Sequence, residues 1–371
     1  MQTPAKRIFK SVQIRSRVYR RNFSRLIRAR RLYRQRKRIP MRGEKALLAD
    51  LGHGAISSRY LIPVLWYFHH GGYDVYLRNW HRFLKTVHEE EDVHVFRSGW
   101  LRIPCGRLRH RQILRLSDAD NRSSAMQGNA TTSVHLVETD DKGNAPEGAV
   151  RLPFPMHPAV YIEDGAPLHA VESNPPKRDI AVGFAGNMNP DDYDHPILHT
   201  RFGVMTRHEI RRELCAKLSQ QILPIDEHGQ LNELERAQNR LVLVNSFRAG
   251  LQKRDYFHFL SRSRFFLAMP GINSPFAHNL TEAMAAGAVP ILQFPDLISP
   301  RLQDGKNCLV FRNAQELAAT VRKARTMPEA EVARMRNAVQ DLYAQENTGR
   351  SALSAIETTR TGNVQCAVVQ A

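Results

Sequence analysis

The chain has 371 residues, 42% of them hydrophobic and 24% charged, too long for one ordinary domain and too apolar for a disordered chain. No apolar run approaches the roughly 18–20 residues of a bilayer-spanning helix, and four scattered cysteines (Cys105, Cys215, Cys308, Cys366) without CxxC or metal-type spacing point to reduced thiols rather than a disulfide framework. The net charge of +18 is local: residues 1–43 hold 16 of the 54 Lys and Arg and none of the 36 acids, leaving 38 bases against 36 acids in 44–371.

Residues 1–43 are read as a basic tail separate from the body. Between 6 and 42, Ile8, Val12, Tyr19, Phe23, Leu26 and Tyr33 recur near helical spacing among arginines. That is the pattern of an amphipathic helix on an anionic membrane surface. The same charge suits nucleic-acid phosphates, and a solvated arm without a partner is a third reading. The N-terminus lacks the apolar stretch of a secretory signal, so a cytoplasmic protein, peripheral at the inner face of the membrane, is expected.

The body opens with KALLADL (45–51), a buried strand, then Gly52-His53-Gly54. Residues 59–68 form an apolar helix stopped by Gly71-Gly72, and 73–77 resumes as a strand. Strand, glycine turn, helix, strand is a βαβ unit and implies a parallel sheet. Strand-like pieces follow at 93–96, 113–116, 134–138 and 149–152, and prolines around 153–176 mark a domain junction. The first α/β domain is thus placed at 44–176. His53 sits at the carboxyl end of the first strand, where open α/β sheets hold ligands. It either takes a proton from an attacking hydroxyl, oriented by Asp50 or with Asp50 itself as base, or merely lines the turn.

A second α/β domain is placed at 177–345. Residues 179–187 (DIAVGFAGN) read as a strand entering a glycine–asparagine turn, followed by an amphipathic helix over 206–220 carrying Arg207, Arg211 and Arg212. A strand at 240–246, a helix at 254–263 and a strand at 265–269 continue the alternation. Helices are expected at 314–325 and 328–345, and 346–371 as a loose polar tail with a short apolar end. The expected class is α/β, two Rossmann-like doubly wound domains facing a cleft.

The most informative stretch is 270–295, PGINSPFAHNLTEAMAAGAVPILQFP. Asn279 and Glu282 have the spacing of a capping box, Gly287 suits the left-handed residue after a helix, and 289–292 is an apolar strand. A helix amino end after a strand favours a diphosphate, with Glu282 accepting bonds from sugar or ribose hydroxyls. Alternatively, Asn279 and Glu282 only cap the helix.

Residues 256–311, and Gly183 to Asn187 with Tyr193 and Arg207, resemble the nucleotide-sugar half of a GT-B glycosyltransferase, closest in style to the exostosin-like enzymes and with kinship to group 1. The resemblance covers about 178–345 well and 44–177 in outline. It implies a donor site of Gly186, Asn187, Arg207, Lys253, Gly271, Ser274, His278, Asn279, Leu280, Thr281 and Glu282, with Arg207 on the donor phosphates. Retaining group-1 enzymes carry a second glutamate eight residues before the one matching Glu282; here that position is Ser274, which favours an inverting enzyme. Transfer would displace a nucleoside diphosphate from an anomeric carbon by a hydroxyl of a saccharide or lipid-linked acceptor. His53 or Asp50 would serve as base, with no metal and no cofactor, the nucleotide sugar being a substrate. A D-x-D at 118–120 lies in a polar run and is read as chance. The rivals are a nucleotide-sugar epimerase or hydrolase on the same architecture, and an inactive body that binds nucleic acid or a partner through its arginine-rich tail.

Overall fold

The structure is a computed structural model and describes residues 22–37, 39–54, 56–87, 89–118, 132–140, 142–166, 176–299, 301–359 and 362–369. Two parallel sheets form its frame, in line with the expected pair of doubly wound domains. The N-terminal sheet runs β3-β2-β1-β4-β5-β13-β6: β1 Lys45–Asp50, β2 Tyr73–Arg78, β3 Leu101–Arg102, β4 Gln112–Ser117, β5 Thr132–Glu138, β6 Val150–Arg151 and β13 Gly362–Val368. The C-terminal sheet runs β12-β11-β10-β7-β9-β8: β7 Ile180–Gly186, β8 Ile222–Ile225, β9 Leu241–Asn245, β10 Ser263–Leu267, β11 Val289–Leu292 and β12 Leu309–Val310. Every strand pairing is parallel. IAVGFAG and LVLVN are apolar almost throughout because a parallel sheet is covered on both faces, and both strands are buried nearly end to end.

The principal helices are α1 (residues 22–35), α2 Ser58–His70, α3 Pro158–Ile162, α4 Arg207–Leu218, α5 Lys253–Arg262, α6 His278–Ala285, α7 Ala314–Thr326, α8 Glu329–Leu342 and α9 Arg350–Thr358. Helix α4 begins with a complete capping box, Thr206 with Glu209. Among the described residues no helix is long and apolar enough to cross a membrane.

Three sequence expectations are corrected. Residues 93–96, read as a strand, belong to a 3-10 stretch, Glu90–Arg97. The C-terminal segment 346–371 is no loose tail. Strand β13 lies between β5 and β6 inside the N-terminal sheet, with Ala367 fully buried. Helix α9 is tied to the same sheet through Glu357, which accepts bonds from Lys45 Nζ at 2.8 Å and the Tyr73 hydroxyl at 2.7 Å.

Nor is the basic segment wholly separate from the body. Ala29 and Leu32 of α1 are buried in the core, the Tyr33 hydroxyl accepts the Ile103 N–H at 2.9 Å, and the Arg30 guanidinium lies 5.9 Å from the Trp80 ring centre. The part of the tail in residues 1–21 lies outside the described residues.

Candidate active site

The two halves meet where α6 lies against the segment Phe154–His157. The His157 N–H donates to Glu282 Oε1 at 3.0 Å, the Thr281 hydroxyl donates to the Phe154 carbonyl at 3.0 Å, and His278 Nδ1 donates to the Pro155 carbonyl at 2.7 Å. Beside this junction is a cavity of about 400 Å3 with walls from both halves. Arg59, Tyr60, Phe154 and His157 line it from the N-terminal half; Gly186, Asn187, Tyr193, Arg207, Tyr256, Gly271, His278, Asn279 and Glu282 line it from the other.

Arg207 is the first residue of α4 and only 4% exposed. Its Nε donates to the Pro270 carbonyl at 2.9 Å and one terminal nitrogen to the Asn187 carbonyl at 2.7 Å, so it ties together the loops after β7 and β10. The Tyr193 ring lies 3.9 Å from the guanidinium carbon. Burial lowers the pKa of Arg207, and no acidic side chain among the described residues forms an ion pair with it. A buried cation balanced only by carbonyls and rings attracts an anion. The loop it braces has room only for glycine at 271, where a Cβ would come within 2.6 Å of the Phe276 carbonyl oxygen and 2.9 Å of that of Ser274.

The expected capping box at Asn279 and Glu282 is absent. The residue before the helix is Ala277, in extended conformation and with no side-chain cap. Asn279 therefore sits inside the first turn, where its side chain caps none of the orphan N–H groups. Its Oδ1 is buried without a hydrogen-bond partner at the cavity wall. The Tyr256 hydroxyl is likewise buried without a well-formed hydrogen bond, and burial together with the neighbouring Glu282 charge pushes its pKa well up. These unsatisfied groups make the wall receptive to a hydroxyl-bearing ligand.

On the opposite wall, His157 caps α3 through Nδ1, which accepts the Ala159 N–H at 3.3 Å, while Nε2 stands 3.3 Å from Glu89 Oε2. That contact, reinforced by Arg59, holds the Glu89 carboxyl down at about 2 against the opposing effect of burial. Burial, with Arg59 adding to it, lowers His278 to about 3, so its imidazole is neutral at pH 7.

Seven sequence-predicted donor residues thus share the cavity: Gly186, Asn187, Arg207, Gly271, His278, Asn279 and Glu282. The other four do not line it. Lys253 is exposed at the start of α5, Leu280 is in the core, and the Thr281 hydroxyl is spent on Phe154. Ser274 is buried, its hydroxyl accepting the Phe276 N–H at 3.2 Å. His53 and Asp50 lie apart from this cavity, paired to each other at 3.1 Å, with Asn79 donating to Asp50 and Arg82 beside the imidazole. Asp118 of the D-x-D shapes that turn by accepting the N–H groups of Gly52, His53 and Gly54; residues 119 and 120 lie outside the described residues. Among the described residues no cluster of three or more His, Cys, Asp or Glu side chains is disposed to hold a metal ion. Sequence reasoning missed His157, Glu89 and Tyr256. Only the Pro155-Met-His157-Pro158 run hinted at a helix start there.

Residues 207–357 match the glycosyl transferase-like family model. No curated protein matches the chain. Among solved structures, the chain is similar to a trehalose-6-phosphate protein from E. coli bound with UDP-2-fluoro glucose (10% identity over 84% of this chain and 98% of the other, TM-score 0.45). It is also similar to a glycosyltransferase from Rickettsia africae (9%, 85% and 98%, TM-score 0.43), and to Anabaena HepE in complex with UDP and glucose (13%, 85% and 99%, TM-score 0.39).

Proposed function

We propose that the protein is a GT-B glycosyltransferase that moves a sugar from a nucleotide-sugar donor to a hydroxyl of a saccharide or lipid-linked acceptor. The observation that carries this reading is Arg207: a buried guanidinium with no acidic partner, in the same interdomain cavity as the unsatisfied Asn279 oxygen and the Glu282 carboxylate. The donor diphosphate lies against Arg207 and the backbone after Gly186 and Gly271. Glu282, Tyr256 and Asn279 take the hydroxyls of the ribose or sugar. As the glycosidic bond breaks, negative charge grows on the departing phosphate, and a fixed guanidinium beside it stabilises that charge without a metal ion.

His157 is the acceptor-side base in this reading, because it is the N-terminal-half histidine in the cavity and Glu89 stabilises the imidazolium that forms. Taking the proton at Nδ1 displaces the long bond from the Ala159 N–H that caps α3. His53 and Asp50 keep a separate role around the β1 turn. The exostosin-like, inverting assignment follows from Ser274, which stands in place of a second carboxylate. Peripheral attachment to an anionic membrane is assigned to α1, where Phe23 and Ile27 are 56% and 55% exposed among arginines.

The test is a thermal-shift series of nucleoside diphosphates and nucleotide sugars on the wild type and on Arg207→Gln. At saturation at least one nucleotide should raise the wild-type melting temperature by several degrees and leave the variant unmoved, since a ligand that binds only the native state stabilises it. No shift with any nucleotide would overturn the reading.

A further inference from the structure

A second cavity lies away from the interdomain cleft. It spans about 910 Å3 over β1, β2 and β4, beneath the loop 103–111. Arg78, Arg107, Arg111 and Arg115 line it, and no acidic side chain does. Arg78, Arg107 and Arg111 are exposed and form no ion pair among the described residues. In a body with 38 bases against 36 acids over 44–371, three exposed arginines gathered around one concavity repel one another unless an anion joins them.

A buried histidine in the same wall also has an unpartnered ring nitrogen. His110, in the same wall, has a side chain 6% exposed; its Nε2 is held by Asp74 Oδ2 at 3.0 Å, and its buried Nδ1 has no hydrogen-bond partner. Asp74 is itself fixed as an anion, its carboxyl held low against the cost of burial by the backbone N–H groups of Gly43 and Arg42. The ring is thus locked in orientation with one polar atom left unsatisfied.

We infer that this cavity is a second binding site, specific for closely spaced phosphate groups such as a diphosphate. Planar guanidinium forks match phosphate oxygens two at a time, and the volume leaves room for a saccharide beyond the phosphates. That the phosphates belong to the acceptor rests on the transferase reading; the phosphate site itself does not. The acceptor is either a soluble phosphorylated saccharide or one carried on a lipid phosphate.

Calorimetric titration of the full chain with inorganic pyrophosphate, at low and at 0.3 M salt, tests the site on the wild type, R107E/R111E and R207Q. Both substituted loop arginines are solvent-exposed, and an unchanged melting temperature confirms folding. The expected result is a binding component weakened at least tenfold in R107E/R111E and by salt, but retained in R207Q. Pyrophosphate binding that is unaffected by R107E/R111E, or none at all in the wild type, overturns the site. Nucleoside-diphosphate binding by R107E/R111E reports on the donor reading separately and is expected to be intact. Flotation with phosphatidylglycerol vesicles, with and without a polyprenyl diphosphate, separates the sources: a diphosphate-dependent gain that R107E/R111E loses assigns the phosphates to a lipid, and no such gain with lost pyrophosphate binding assigns them to a soluble saccharide.

Discussion

A buried guanidinium is costly unless oxygens or an anion compensate it, and Arg207 is compensated by the Asn187 and Pro270 carbonyls and by aromatic faces. Lysine keeps the charge but cannot hold two divergent carbonyls while presenting a fork to a phosphate. Arg207→Lys should therefore weaken nucleoside-diphosphate binding at least about tenfold, about 1.4 kcal/mol, which titration calorimetry reads directly. On the facing wall, His157→Ala should lower turnover by about 10²–10⁴, the usual contribution of a general base, with nucleotide binding retained; equal loss of both would make His157 a cleft-shaping residue. The neutral histidines also set an acid limit. Burial lowers His69 to about 4 and His278 to about 3, so between those values and the ordinary 6.5 the unfolded chain binds more protons. Stability is then full above about pH 6.5 and falls as the pH drops toward 4, by about 3 kcal/mol from His69 alone. Urea melts at pH 7.5 and 4.5 should show that loss, and His69→Gln should reduce it.

At the scale of elements, the C-terminal strand makes the sharpest demand. Ala367 of β13 is fully buried between β5 and β6, so Ala367→Asp should cost more than about 4 kcal/mol by burying an unpaired charge. Denaturant unfolding checks this, and a change under about 0.5 kcal/mol would mark the segment as peripheral. Nothing in GNVQCAV names its partners, because the strands it joins lie more than 200 residues earlier in the chain. By contrast, β1, β7, β9, β10 and β11 were legible as short apolar runs ended by glycine, proline or asparagine, since parallel strands are dry on both faces. Helix α4 was legible as an amphipathic stretch over 206–220, and the end of α6 from Gly287, whose φ is +72°. The start of α6 was not: Asn279-Leu-Thr-Glu282 has capping-box spacing, but the chain enters the helix two residues earlier, at Ala277. Helix α1 was legible only as amphipathic, because periodicity alone does not say whether a protein or a membrane covers the apolar stripe.

For the whole molecule, the chain begins in the N-terminal sheet, builds the C-terminal one and returns through α9 and β13, so the two halves are joined by more than one crossing. The cleft sits where the halves meet, and Glu282 serves both sides of it: its Oε1 accepts the His157 N–H across the junction, and its charge acts on the Tyr256 hydroxyl in the cavity. Those two roles separate by substitution. Glutamine keeps an oxygen for His157 but removes the charge; alanine removes both. If Glu282 holds a donor hydroxyl, Glu282→Gln should lower nucleotide-sugar affinity or turnover at least about tenfold, because hydrogen bonds to an ionised acceptor are about twice as strong as neutral ones, with the melting temperature nearly unchanged. Glu282→Ala should add a stability loss of about 1–3 kcal/mol from the unsatisfied His157 N–H. Parallel kinetics and thermal melts on the two variants decide the matter: normal kinetics in both, with a lower melting temperature only in the alanine variant, would reduce Glu282 to a clamp between the halves and leave Arg207 to carry the donor alone.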